Sequence, residues 1–180
     1  MDKHNLVKLC SRTWSITALG KMADGTPGRT SPLAAAVGCG RTAMQASVNN
    51  LVELGLLERD TGYGHPLRSA YNLTPQGERV AFWASALLKM IKPAADRRLI
   101  RSKWSLPLIC NLDTDARYKD LKQRLAPVTD RSLSLCLDQL AQRQWIARNV
   151  LPDNYPPAVR YRLDGQGHNV YRHLQGVIAD

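Results

Sequence analysis

Apolar positions along this chain set the first expectations. Met44, Val48, Leu51 and Val52 share one face at helical spacing, and Leu133, Leu137, Leu140 and Ala141 do the same further on. Ahead of the first of these helices, Ser31 is placed to cap a short helix beginning at Pro32, and Val37-Gly38-Cys39-Gly40 supplies a turn. The resulting grammar is helix, turn, helix. Beyond it, residues 56–59 and 69–73 read as two strands joined by a Gly- and Pro-containing loop at 61–66, and residues 146–150 and 159–163 read as a second such hairpin, joined through 151–157. After the first hairpin, Val80, Trp83, Ala84, Leu87, Leu88 and Ile91 form an apolar stripe too wide for an isolated exposed helix. It must be covered, either by another part of this chain or by a second copy.

The pattern occurs twice because the sequence repeats. Trp14-Ser15 returns as Trp104-Ser105, LVELGLLER at 51–59 is answered by LAQRQWIAR at 140–148, and Tyr71-Asn72-Leu73 with Gly77 is answered by Tyr161-Arg162-Leu163 with Gly167. Three anchors in order at an offset of 89 or 90 residues imply a duplicated domain. The expected fold is mainly α with small β-hairpins, an α+β arrangement of two tandem winged helix-turn-helix domains, 1–92 and 93–180. The boundary is placed at Lys92-Pro93-Ala94-Ala95, where proline disfavours a continuing helix.

Charge adds a partner to this picture. The 180 residues hold 25 Lys and Arg against 15 Asp and Glu, a net charge of +10, which favours polyanions and above all nucleic acid. The excess is spread over both halves, so neither is a disordered basic tail. No apolar segment approaches the ~20 residues of a membrane span, and the start MDKHNLVKLC lacks a signal-peptide core, so a cytoplasmic, nucleoid-associated protein with no membrane partner is expected. The four cysteines have no C-x-x-C spacing and are read as thiols, and the four histidines form no ligand set, so neither metal nor cofactor is expected. No phosphate loop, nucleophile elbow or acid-base carboxylate pair points to an enzyme.

With the core positions removed, the first predicted recognition helix presents Arg41, Thr42, Gln45, Ala46 and Asn49. That set suits the major groove of double-stranded DNA, since Arg pairs with guanine, Gln and Asn with adenine, and Thr with polar edges or a thymine methyl. The second helix offers Arg131, Ser132, Ser134, Leu135 and Asp138, a poorer set because Asp repels phosphate and Leu can equally meet protein. Arg68, Arg160 and Arg162 near the wings, with Arg29 and Lys119 near the helix-turn-helix starts, are the expected phosphate contacts.

The second repeat resembles the HxlR type of MarR-like winged-helix regulators. The features that carry this are Lys103-Trp104-Ser105-Leu106 opening one helix, Tyr118-Lys119-Asp120-Leu121 opening the next, and a wing running Pro156-Pro157-Ala158-Val159-Arg160-Tyr161-Arg162-Leu163 before Gly167. The first repeat looks like a diverged copy without the Pro-Pro wing. The resemblance implies a DNA-binding transcription regulator, by default a repressor, from a family that typically dimerises. Two fused copies can imitate a homodimer inside one chain, or the chain can itself form a homodimer. Some relatives sense oxidants through an N-terminal cysteine, which singles out Cys10 as a possible redox thiol. Where members of that family often show polar residues facing DNA, the second repeat has Leu135 and Cys136. A replication or partition initiator, and a tandem winged-helix scaffold for protein assembly, stay open as alternatives.

Overall fold

The structure is a computed structural model that describes residues 1–60, 70–151 and 158–178. The first repeat runs α1 (Lys3–Leu9), α2 (Ser15–Ala23), α3 (Thr30–Val37), α4 (Arg41–Glu53), β1 (Leu57–Arg59), β2 (Tyr71–Leu73) and α5 (Pro75–Met90). The second runs α6 (Ala94–Ile100), α7 (Ser105–Cys110), β3 (Ala116–Arg117), α8 (Tyr118–Arg124), α9 (Asp130–Gln142), β4 (Ile146–Leu151), β5 (Ala158–Leu163) and α10 (Gly165–Gln175). Strands β1 and β2 pair antiparallel with Leu57 opposite Leu73, and the second hairpin extends to a three-stranded sheet of order β3-β5-β4 with Ile146 opposite Leu163.

Local chemistry explains why the elements start and stop there. Gly38 takes a left-handed conformation, φ 76°, which ends α3 and turns the chain into α4. Thr74 and Thr129 each accept a backbone N–H with the side-chain oxygen and so cap α5 and α9. The closing helices carry matching glycines at their third residues, because a Cβ on Gly77 would lie 1.9 Å from the Leu56 carbonyl oxygen and one on Gly167 would lie 1.9 Å from that of Trp145. Only glycine lets the helix sit that close to the entering strand.

Several expectations need correction. Helix α3 starts at Thr30 with Arg29 at its N-cap, so Ser31 lies inside the first turn and Pro32 is the third residue. Val52 is exposed at 38%, and the buried stripe of α4 is Met44, Ser47, Val48, Asn50 and Leu51. Asn50 holds its place by donating to the Lys8 carbonyl oxygen and to the Ser15 hydroxyl. Cys136, expected on the outward face of α9, is buried against Ser105, while Leu135 stays outward at 55% exposure. Helices α1 and α6 and the short β3 were not expected, since seven and two residues carry too little periodicity to register.

Burial is continuous through both repeats. Within the first, α5 lies along α2, where Gly20 permits close approach: a Cβ there would come within 2.6 Å of Leu88 Cδ1. Between repeats, α1 packs on α7 and α5 meets α10. The α5–α10 contact joins two residues at matching positions of the repeat. The Trp83 indole N–H donates to the His173 carbonyl oxygen at 3.0 Å, His173 Nε2 lies 2.9 Å from the Trp83 carbonyl oxygen, and the rings stack with centroids 5.6 Å apart. Matching residues that contact one another mark an axis of two-fold type, the isologous arrangement of a symmetric dimer written within one chain. The stripe of α5 is thus covered from inside this chain. No helix among the described residues is long and apolar enough to cross a membrane.

Candidate nucleic-acid interface

The first reading helix leaves Gly40 and exposes Arg41, Thr42 and Ala43 in its first turn, with Asn49 exposed two turns on. Gln45 stands differently. Its carbonyl oxygen accepts from the Thr30 hydroxyl at 2.7 Å, and its amide nitrogen donates to Asn49 Oδ1 at 2.8 Å and reaches Tyr71 Oη at 3.3 Å. Both amide hydrogens are thereby used, so Gln45 ties α3, α4 and β2 together and holds the Asn49 side chain through its Oδ1. The expectation that Gln45 itself reads adenine does not fit this geometry. The network was hidden in the sequence because Thr30 and Tyr71 come from other elements.

In the second repeat Arg131, Ser134, Leu135 and Asp138 are exposed on α9. Ser132 is partly buried and accepts from the Thr129 hydroxyl at 2.9 Å. Asp130 pairs with Lys122 at 2.8 Å and accepts from the Tyr118 hydroxyl, and these bonds, with Lys122 the larger cause, hold its carboxyl below the usual range. Tyr118 Oη also lies 3.4 Å from the Ser134 hydroxyl. An ion-paired carboxylate therefore sits in the first turn of α9 where α4 has the exposed Arg41, and the outward faces of the two helices differ in charge.

Of the expected phosphate contacts, Arg29 is exposed at the start of α3 and bridges Ala70 beside the first hairpin, and Lys119 is exposed on α8. Arg162 is exposed on β5, while Arg160 is half-buried opposite Arg117 of β3 and Asn149 of β4. Directly opposed like charges repel, and Arg160 Nε is buried without a hydrogen-bond partner. Arg117 and Arg160 thus stand as register partners of like charge across β3 and β5. Arg117 and the exposed Arg148 were not singled out in the sequence, because the two-residue strand that brings Arg117 to β5 left no signal. Arg68 lies outside the described residues.

Cys10 does not fit a redox sensor. It is 4% exposed, and burial alone pushes its thiol up to about 12, the opposite of the lowered value that reactivity needs. Among the described residues no cluster of His, Cys, Asp or Glu could hold a metal ion.

Two helix-turn-helix units, each followed by an antiparallel hairpin and a closing helix, define a tandem winged helix-turn-helix protein. The HxlR-like helix-turn-helix family model matches residues 9–98 and again residues 99–179, so the chain belongs to that family and carries its module twice. It is similar to an uncharacterized HTH-type transcriptional regulator of Methanothermobacter thermautotrophicus, 33% identical over 72 residues, which are 39% of this chain and 54% of that protein. The chain thus spans about half the length of this curated relative. Among solved structures it is similar to one described as a MarR-family transcriptional regulator from Porphyromonas gingivalis W83, at 22% identity and a TM-score of 0.43, covering 48% of this chain and 90% of that one.

Proposed function

We propose that one chain binds an imperfectly palindromic double-stranded DNA site as an intramolecular pseudo-dimer and regulates transcription by occupying it, in the simplest case as a repressor. The observation that carries this is the Trp83–His173 contact between matching positions, which docks the two modules with no second chain required. In this reading Arg41, Thr42 and Asn49 meet base edges in one half-site, Arg131 and Ser134 in the other. Gln45 acts as a positioning residue. Arg29, Lys119, Arg160 and Arg162, with Arg68 by its place in the sequence, neutralise phosphates. The unlike reading faces make the two half-sites unlike.

Selection from a randomised duplex pool, with sequencing of the bound fraction at two salt concentrations, tests the proposal. A two-part motif with half-sites spaced about 10 base pairs or a multiple apart, and affinity that falls steeply with salt, is the expected result. Sedimentation of the complex should show one chain per site. No salt-dependent enrichment would favour the scaffold reading, and two chains per site would show that the chain dimerises to bind.

A further inference from the structure

A cleft of about 410 Å3 opens between α2, α3 and α5 of the first repeat and α6 of the second. Trp14, Val37 and Leu88 supply an apolar wall, and Lys21, Lys89, Arg97 and Arg101 supply four cations against one acid, Asp24. Asp24 is already engaged by Lys89 and by the Ser85 hydroxyl, each at 2.7 Å, which hold its carboxyl below the usual range. Lys21, Arg97 and Arg101 make no salt bridge among the described residues. Arg97 spends its Nε–H on the Ile91 carbonyl oxygen at 3.0 Å, and Arg101 lies 4.8 Å over the Trp14 ring, so both guanidinium groups keep donors for another acceptor.

The internal repeat shows that the fold does not require this charge. In the register that matches Trp14 to Trp104, Lys21 corresponds to Asn111, Arg97 to Val7 and Arg101 to Ser11. There the corresponding helices, α1 and α7, pack directly against each other. The three matched positions are thus neutral at one junction, and at the other they are cations outside any salt bridge among the described residues. Like charges gathered in a partly enclosed cleft repel one another unless an anion joins them.

From this contrast we infer that the cleft is a small-molecule site for a phosphate monoester with a ring-bearing body. A dianionic head matches two guanidinium forks and an ammonium better than a single carboxylate does. The apolar wall takes the ring, and the volume lies within the range of small-ligand sites. The occupant would rest on Val37, the last residue of α3, one residue before the Gly38 turn into α4.

Calorimetric titration of the full chain without DNA tests the site separately from DNA binding. Phenyl phosphate is the probe, and inorganic phosphate and benzyl alcohol are the controls for head and ring alone. Saturable one-to-one binding of phenyl phosphate, tighter than either control, is expected. Lys21→Gln and Arg101→Gln should each weaken it roughly tenfold, while Arg148→Gln on the distant hairpin leaves it unchanged. Circular dichroism melts verify that each variant is folded, and Lys21, being on the rim, is the variant least able to disturb the core. No saturable heat up to about 10 mM probe overturns the assignment, as does binding that survives both substitutions. Loss of duplex affinity in Lys21→Gln with phenyl phosphate binding intact would assign these cations to the DNA backbone instead.

Discussion

At the scale of single residues, the duplication supplies its own controls. Gln144 adopts φ 57°, and its counterpart in the first repeat is Gly55 at φ 66°. A side chain in the left-handed region costs about 1–2 kcal/mol, partly offset by the greater freedom of glycine in the unfolded chain. Gln144→Gly should therefore raise stability by about 1 kcal/mol, seen as a higher urea midpoint at unchanged slope. The thiols permit a second prediction. Burial raises Cys10 to about 12 and Cys136 to about 11 from 9.0, while Cys39 is only half-buried. In the native state Cys39 should react with a thiol reagent well before Cys10 and Cys136, all of them reacting in denaturant. The sign for stability follows from proton counts: above pH 9 the unfolded chain releases thiol protons that the folded chain keeps, so stability is present below that pH and falls as pH rises toward 11. A urea midpoint that holds constant between pH 8 and pH 10 would contradict this.

At the scale of elements, α4, α9, both hairpins and the closing helices were legible because each spans enough residues to display a period, and because every signal occurred twice. Gly77 and Gly167 were visible as anchors of the repeat, yet their reason was not, since it lies in a carbonyl oxygen more than 20 residues away in sequence. Gly167→Ala should force α10 off the strand entrance and cost about 1–3 kcal/mol by thermal or urea unfolding, whereas Ala at Gly40, where nothing stands within 4 Å, should be nearly neutral. The reading face was legible in part. Exposure of Arg41, Thr42 and Asn49 follows from the helical period alone, but the diversion of Gln45 depends on Thr30 and Tyr71, and the pairing of Arg117 with Arg160 depends on a strand of two residues. Such contacts are properties of packing between elements, which no local pattern encodes.

At the scale of the whole molecule, the decisive contact was the least legible, because residues 90 apart meet only once the halves are docked. The stripe containing Trp83 required a cover, and only the structure identifies His173 in that cover. Joining two weak binding modules rigidly makes the second engagement intramolecular, with a gain set by how closely their docked spacing matches the DNA. Trp83 is 5% exposed and supplies a hydrogen bond and a stacked ring to this junction. Trp83→Ala should cost about 3–5 kcal/mol, part of it within the first repeat, and should split unfolding into two transitions. Its effect on DNA should be selective: affinity for the two-part site falls, and affinity for an isolated half-site changes little. Trp83→Phe keeps one aromatic ring for stacking but loses the donor and the second ring of the indole, so it should fall between the parent chain and Trp83→Ala, with a loss of about 1–3 kcal/mol. Measuring both variants on two-part and single half-site duplexes separates docking from folding, since a merely unfolded variant loses both affinities together. If Trp83→Ala binds the two-part site as well as the parent chain does, the short connection at residues 91–93 must set the spacing alone, and the contact between repeats serves stability only.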